Sequence, residues 1–178
     1  MATSTYDLVV IGEGMTGLTA ANTAAKAGLK VASIECNLFG GLVVNIAELE
    51  DYPAGDAASG VDLASNLMSE NADLGVENQP GTVTGIMPAG GIHIVTTDAG
   101  DVEGKCVVIA SGAKLRRLGV PGEADFDYKG VSQCADCDAP MFKDADVVVV
   151  GGGDAALQEA ATLSKHVRKV TILLRGEN

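Results

Sequence analysis

The sequence predicts an α/β protein made of two successive parallel βαβ units, the first completed by a small antiparallel β-meander and the second only begun. Three observations predict this. A short apolar run, a glycine-rich turn and an alanine-rich segment follow one another at residues 7–27 and again at 146–166. Between them, apolar stretches alternate with glycine turns over residues 81–110. The composition, 47% hydrophobic with 23 glycines and 3% aromatics, suits sheets packed closely through small branched side chains.

Residues 7–11 read as a buried strand that ends in Gly12-Glu13-Gly14-Met15-Thr16-Gly17, and residues 18–27 have strong helical propensity. In this order the glycines have separate tasks. Gly12 makes the tight turn, Gly14 lets backbone approach a pyrophosphate, and Gly17 lets the helix lie close on the strand, while the helix start offers amide donors. Gly28 ends the helix, residues 30–34 form the second strand, and Glu35 stands where an acceptor for a ribose hydroxyl pair is expected. The stretch therefore predicts a dinucleotide site.

Phe39-Gly40-Gly41, then residues 48–53 and Gly55, form a long connection that either crosses a ligand face or is a plain surface loop. Val61, Ala64, Leu67, Met68 and Leu74 recur at helical spacing, which predicts an amphipathic helix over 61–74 with Met68 in the core. Residues 81–86, 91–97 and 101–110 predict the meander. His93, between Ile92 and Ile94, is expected to face solvent, and Cys106 to be structural. Ser111-Gly112-Ala113 follows a buried strand directly, where such sheets present backbone to a cofactor. Residues 118–122 read as a linker, with the boundary between 114 and 122 and a division into residues 1–116 and 117–178.

Residues 146–150, Gly151-Gly152-Gly153-Asp154-Ala155-Ala156, a helix over 154–166 and a strand over 169–173 repeat the opening pattern. At one constant offset Gly12 pairs with Gly151, Gly14 with Gly153, Gly17 with Ala156 and Glu35 with Leu174. The second site thus lacks the ribose acid, and Arg175 beside it suits a 2′-phosphate, which predicts NADPH over NADH. His166, among Lys165 and Arg168, suits the negative end of the helix dipole and needs no functional role.

Between the two motifs stands Cys134-Ala135-Asp136-Cys137-Asp138. Two thiols at this spacing close a disulfide across one turn and exchange it as thiolate, but the same spacing also serves as half a zinc site or as an incidental pair. Zinc needs a second close pair, and Cys36, Cys106, His93 and His166 supply none. A dithiol set between two dinucleotide motifs reads as an electron relay. A formal charge of −12 argues against nucleic acid. Residues 1–6 lack the start of a signal peptide and residues 8–11 are too short to cross a bilayer, so a cytoplasmic protein without membrane association is expected.

These residues together resemble the low-molecular-weight thioredoxin reductase family over essentially the whole chain. The resemblance rests on residues 12–17, Gly40-Gly41, residues 50–53, 111–113 and 151–156, and above all on Cys134-x-x-Cys137-Asp138 just ahead of the second glycine motif. It implies FAD on the first domain, contacted by Gly12, Gly14, Met15, Thr16, Gly17, Glu35, Gly40, Gly41, Leu42, Asp51, Val83, Ser111, Gly112 and Ala113. It implies NADPH on the second, contacted by Gly151, Gly153, Asp154, Ala155 and Arg175. It further implies that Cys137 faces the flavin, Cys134 exchanges with the substrate disulfide, and Asp138 gives and takes the proton. The implied substrate is a thioredoxin-like protein and the implied assembly a homodimer. Leu42 stands where the family has glutamine, Asp51 where it has asparagine, and its basic cluster is reduced to Arg175-Gly176.

Members of that family continue beyond the length seen here. The chain is therefore expected to be the N-terminal part of a longer reductase, or a truncated product, to bind FAD poorly alone and to turn over little. Strong, stoichiometric yellow colour in the purified polypeptide would contradict this. The competing expectations are a flavin-dependent dithiol oxidase that passes electrons to oxygen, and a non-catalytic nucleotide-binding module.

Overall fold

The structure is a computed structural model that describes residues 5–49 and 55–176. It divides after Ala113 into two compact units. The first contains β1 (Tyr6–Ile11), α1 (Met15–Lys26), β2 (Val31–Glu35), a 3-10 turn (Gly41–Asn45), α2 (Gly60–Asp73), β3 (Glu77–Pro80), β4 (Val83–Ala89), β5 (Ile92–Thr97) and β6 (Gly100–Ile109). The six strands form one sheet in the order β3-β2-β1-β6-β5-β4. Parallel pairing joins the first four, and antiparallel pairing joins β6, β5 and β4.

The apolar run of β1 is continuous because both its faces are covered. Tyr6, Val9 and Ile11 pack with Ala32, Ile34 and Val95 on one face. Val10 packs with Ala21 and Ala24 of α1 and with Val31 on the other. β6 is one strand with two partners: its start pairs with β5 and its end with β1, and Gly104 is in register with both His93 and Tyr6. A Cβ on Gly104 would stand 2.6 Å from the Val9 side chain, so only glycine fits this handover.

α1 begins at Met15, three residues before the expected start, because Gly17 sits inside the helix and packs its first turn onto Gly12. α2 opens with a reciprocal capping box between Ser59 and Asp62, and the buried Asn71 ties it to α1 by donating to Leu18 O at 3.0 Å. Met68 is half-buried, short of the core position expected for it. His93 does not face solvent: it is half-buried with Nδ1 enclosed, because it shares its face of β5 with Val95, which is buried in the core.

β3 was not expected. Its residues Glu77, Asn78, Gln79 and Pro80 carry no apolar period, and polar bonds hold it: Tyr6 Oη donates to Glu77 at 2.7 Å, and Gln79 donates to Tyr6 Oη at 3.4 Å.

The second unit contains α3 (Ala135–Asp138), a 3-10 turn (Ala139–Phe142), β7 (Asp146–Val150), α4 (Asp154–Ser164) and β8 (Lys169–Leu173), with β7 and β8 paired in parallel. Ala135, Ala139 and Leu163 form its core with Val147, Val149, Val167 and Val170. Ahead of α3 the chain is a fastened loop. Buried Glu123 accepts from the N–H groups of Leu118 and Gly119, which hold its carboxyl below the usual glutamate range, and Arg117 pairs with Asp127 at 2.6 Å.

Candidate functional site

Two separate constellations stand out, one in each unit. In the first, the ends of β1, β2 and β6 meet at the carboxyl edge of the parallel strands, where such sheets take ligands. Gly12 has φ +97°, and a Cβ there would stand 2.4 Å from Ala110 O. Ala110 N donates to Ile11 O at 2.8 Å, so Ser111, Gly112 and Ala113 emerge beside the glycine turn, exposed. Gly40 N donates to Glu13 O at 2.6 Å, and Gly14 is bridged to Gly40. A Cβ on Gly41 would stand 3.1 Å from Gly14 Cα, so both glycine loops present bare backbone to one another. Met15 and Thr16 open α1, whose N-terminus has neither a side-chain cap nor an acid in its first turn. Its leading amides remain available to an anion.

Glu35 ends β2 with its carboxylate fixed: Oε2 accepts from Glu13 N at 2.8 Å, and Oε1 from Cys36 N at 2.9 Å and Asn37 N at 3.0 Å. Burial pushes its pKa up, but these bonds outweigh burial and hold it below the ordinary glutamate value. Leu42 lies exposed in the 3-10 turn. Gly81 N donates to Glu35 O at 3.0 Å, which brings the entry to β4 beside Glu35, with Val83 two residues on and packed against the core. Asp51 lies outside the described residues.

Glu13 was not anticipated. It occupies the unspecified position of the glycine motif, yet it is 1% exposed, accepting from Ser33 Oγ at 2.5 Å and Asn78 Nδ2 at 2.6 Å. It thus ties the glycine turn to β2 and β3. Burial raises its carboxyl above the usual value of 4.5; the Ser33 and Asn78 bonds oppose this, and the charge of Glu35 adds to it. The sign follows. A raised folded-state pKa gives a stability contribution present in full below 4.5 and lost as pH rises through the folded value. Glu13→Gln keeps an acceptor for Ser33 and Asn78 and does not titrate. Urea midpoints of the wild type are expected to fall relative to Glu13→Gln as pH rises through that window; a difference independent of pH contradicts this.

In the second unit Cys134 and Cys137 are joined as a disulfide, with Cα atoms 5.4 Å apart. Cys134 caps α3, accepting the Cys137 N–H on Sγ at 3.3 Å. Asp138 N donates to Cys134 O at 3.1 Å, and the Asp138 carboxylate accepts from Ser132 Oγ at 2.6 Å. The same hydroxyl accepts Cys134 N–H at 3.1 Å, so Ser132, which sequence reasoning passed over, links the Asp138 carboxylate to the backbone of the first cysteine. The buried Ala135 amide is taken by Glu159 of α4.

Gly151 and Gly153 lead into α4, which has no side-chain cap, and Asp154 and Ala155 open it, exposed. Leu174, the counterpart of Glu35, lies over the turn, its Cδ2 within 2.5 Å of where a Gly152 Cβ would be; Arg175 follows, exposed. Cys36 and Cys106 are free and exposed. Among the described residues no group of three or more His, Cys, Asp or Glu is placed to hold a metal ion. No described helix is long and apolar enough to cross a membrane.

Residues 6–178 match the family described as pyridine nucleotide-disulphide oxidoreductase. The chain belongs to that family. Within the oxidoreductases it is 38% identical over 172 residues to a thioredoxin reductase of Listeria innocua, covering 97% of this chain and 54% of the relative. The solved thioredoxin reductase of Lactococcus lactis matches with a TM-score of 0.82 at 38% identity, over 97% of this chain and 57% of that one. That of T. acidophilum matches with a TM-score of 0.77 at 32% identity, over 94% and 55%. The chain therefore spans about half the length of the oxidoreductases it matches. Its α/β architecture is the Rossmann-like one that the repeated glycine motifs predict.

Proposed function

We propose that this chain carries the nucleotide sites and the dithiol of a flavoprotein disulfide reductase, passing electrons from NADPH through FAD to Cys134 and Cys137 and on to a thioredoxin-like protein disulfide. The observation that carries this reading is the closed Cys134–Cys137 pair with Asp138 held by Ser132, in a chain that also presents two glycine-rich helix starts.

The residues of the first unit fit FAD. The uncapped start of α1 accepts a pyrophosphate, the bare Gly14–Gly41 contact puts no side chain beside it, and Glu35 has a fixed carboxylate to receive ribose hydroxyls. The start of α4 has no side-chain cap to compete with the pyrophosphate of NADPH, although Asp154 puts a carboxylate in its first turn, and the exposed Arg175 suits the 2′-phosphate. Bound together, the two groups supply a hydride and a carrier that delivers two electrons to a disulfide.

The remaining steps belong to the chain. Cys137 receives electrons on the flavin side and Cys134 attacks the substrate disulfide, forming a mixed disulfide that Cys137 resolves. Asp138 carries the proton that leaves as one sulfur becomes a thiolate and returns as the other is released. Ser132 keeps the carboxylate in place between these events. In this reading the reductase acts as a cytoplasmic homodimer.

Glu35→Ala is expected to weaken FAD binding by roughly 10- to 100-fold, since it removes a ribose acceptor and leaves three loop amides without their partner. Flavin titration followed by absorbance checks it; unchanged affinity would place FAD elsewhere. Anaerobic addition of NADPH tests the reading as a whole. Bleaching of bound flavin with opening of the disulfide supports it, whereas a flavin that NADPH leaves oxidised but a dithiol reduces, with oxygen consumed once air is admitted, favours the dithiol oxidase.

A further inference from the structure

The redox turn is fastened to α4 through a carboxylate. Glu159, half-buried on α4, accepts the backbone N–H of Ala135, the residue directly after Cys134. One turn further along α4, Leu163 is buried against Ala135 and Ala139, so one face of this helix offers the turn both an acceptor and an apolar ledge. Cys134 Sγ receives the Cys137 amide at 3.3 Å, a donor that favours charge on the sulfur. The carboxylate on the neighbouring amide acts in the opposite sense. Other ionisable groups on the packed elements are Asp136 and Asp138 of α3, Asp154 of α4, Lys169 of β8, and Asp146 of β7, which pairs with Arg168 at 2.8 Å; the 3-10 turn between α3 and β7 brings none.

We propose that Glu159 is the positioning residue of the redox turn, holding the Cys134–Cys137 pair on α4 while its negative charge disfavours the Cys134 thiolate and so makes the dithiol a stronger reductant above neutral pH. This rests on the disulfide-reductase reading of the pair. The direction follows from linkage. A thiol that ionises less readily gains less from high pH, so the reduced form is less favoured there. Sequence spacing does not reveal the link, since Glu159 lies 24 residues from Ala135.

The test uses the 178-residue chain with Cys36→Ser and Cys106→Ser, so that only the pair reacts. With Cys137→Ser added, the Cys134 thiolate is followed against pH by its ultraviolet absorbance. Glu159→Gln keeps an acceptor for Ala135 N–H but removes the charge, and is expected to lower the Cys134 midpoint by on the order of one pH unit. Glu159→Asp keeps the charge and is expected to stay near the wild type. The intact pair is then equilibrated with glutathione: two glutathione thiols give up two electrons and two protons, the Cys134–Cys137 bond opens to two thiols, and one glutathione disulfide forms. Reduction of Glu159→Gln is expected to be favoured roughly five-fold over wild type at about pH 8 and hardly at about pH 6.

An unshifted Cys134 midpoint in Glu159→Gln overturns the proposal, as does a change equal at both pH values, or the same shift in Gln and Asp variants. Loss of fold in Glu159→Gln, seen by circular dichroism while Glu159→Asp stays folded with a shifted midpoint, also overturns it. A pair that glutathione neither opens nor recloses would instead refute the disulfide-reductase reading, whatever Glu159 does.

Discussion

Gly17→Ala is expected to destabilise the first unit by about 3 kcal/mol or more and to lower its melting midpoint by roughly 10 °C or more. A Cβ at this position would stand 1.8 Å from Gly12 O and 3.3 Å from the Val10 side chain. No rotamer change relieves the first contact, because both partners are backbone; either α1 lifts from β1 or the glycine turn opens. Each movement separates Gly12 and Gly14 from the helix start, so dinucleotide binding is lost with stability. Gly28→Ala is the control. Gly28 has φ +81° with nothing within 4 Å of a Cβ, so its substitution carries only the backbone cost, about 1 kcal/mol. Thermal melts of the two variants check the account, and equal effects would show that close approach at Gly17 is not what holds the turn.

In a full-length reductase carrying this sequence, Cys134→Ser is expected to abolish reduction of a protein disulfide, by on the order of 10³-fold or more, while NADPH still bleaches the flavin. A serine hydroxyl neither attacks a disulfide usefully at neutral pH nor forms one with Cys137. The two half-reactions therefore separate at this residue. Cys137→Ser is expected to lose turnover as well, but to leave Cys134 able to form a lasting mixed disulfide with the substrate, because the thiol that resolves it is gone. A stopped mixed disulfide in Cys137→Ser, absent in Cys134→Ser, checks the assignment of the two roles. Retained turnover in either variant contradicts it.

The parts legible in the sequence are those whose signal is local. The run 7–11, the glycines after it and Glu35 lie within 30 residues, and their roles follow from one strand, one turn and one helix start. The second copy is legible for the same reason, and so is the Cys134–Cys137 pair. What the sequence hides are polar groups that depend on distant partners. Glu13 reads as filler in its motif because Asn78, which holds its carboxylate, lies 65 residues away. β3 has no apolar period, since polar side chains and backbone pairing to β2 hold it. Ser132 looks like an ordinary loop serine until Asp138 folds back over it. The early start of α1 was hidden by Gly17, a poor helix former that is there for packing. His93 was misplaced because strand alternation assigns a face and does not say whether that face is covered.

The most direct test of the electron route is anaerobic mixing of a full-length reductase carrying this sequence with NADPH and saturating FAD, followed by alkylation and mass measurement of Cys134 and Cys137. The account predicts that both become alkylated when NADPH and FAD are present together and remain disulfide-bonded when either is left out. A bound flavin that NADPH bleaches while the Cys134–Cys137 bond stays closed would contradict it.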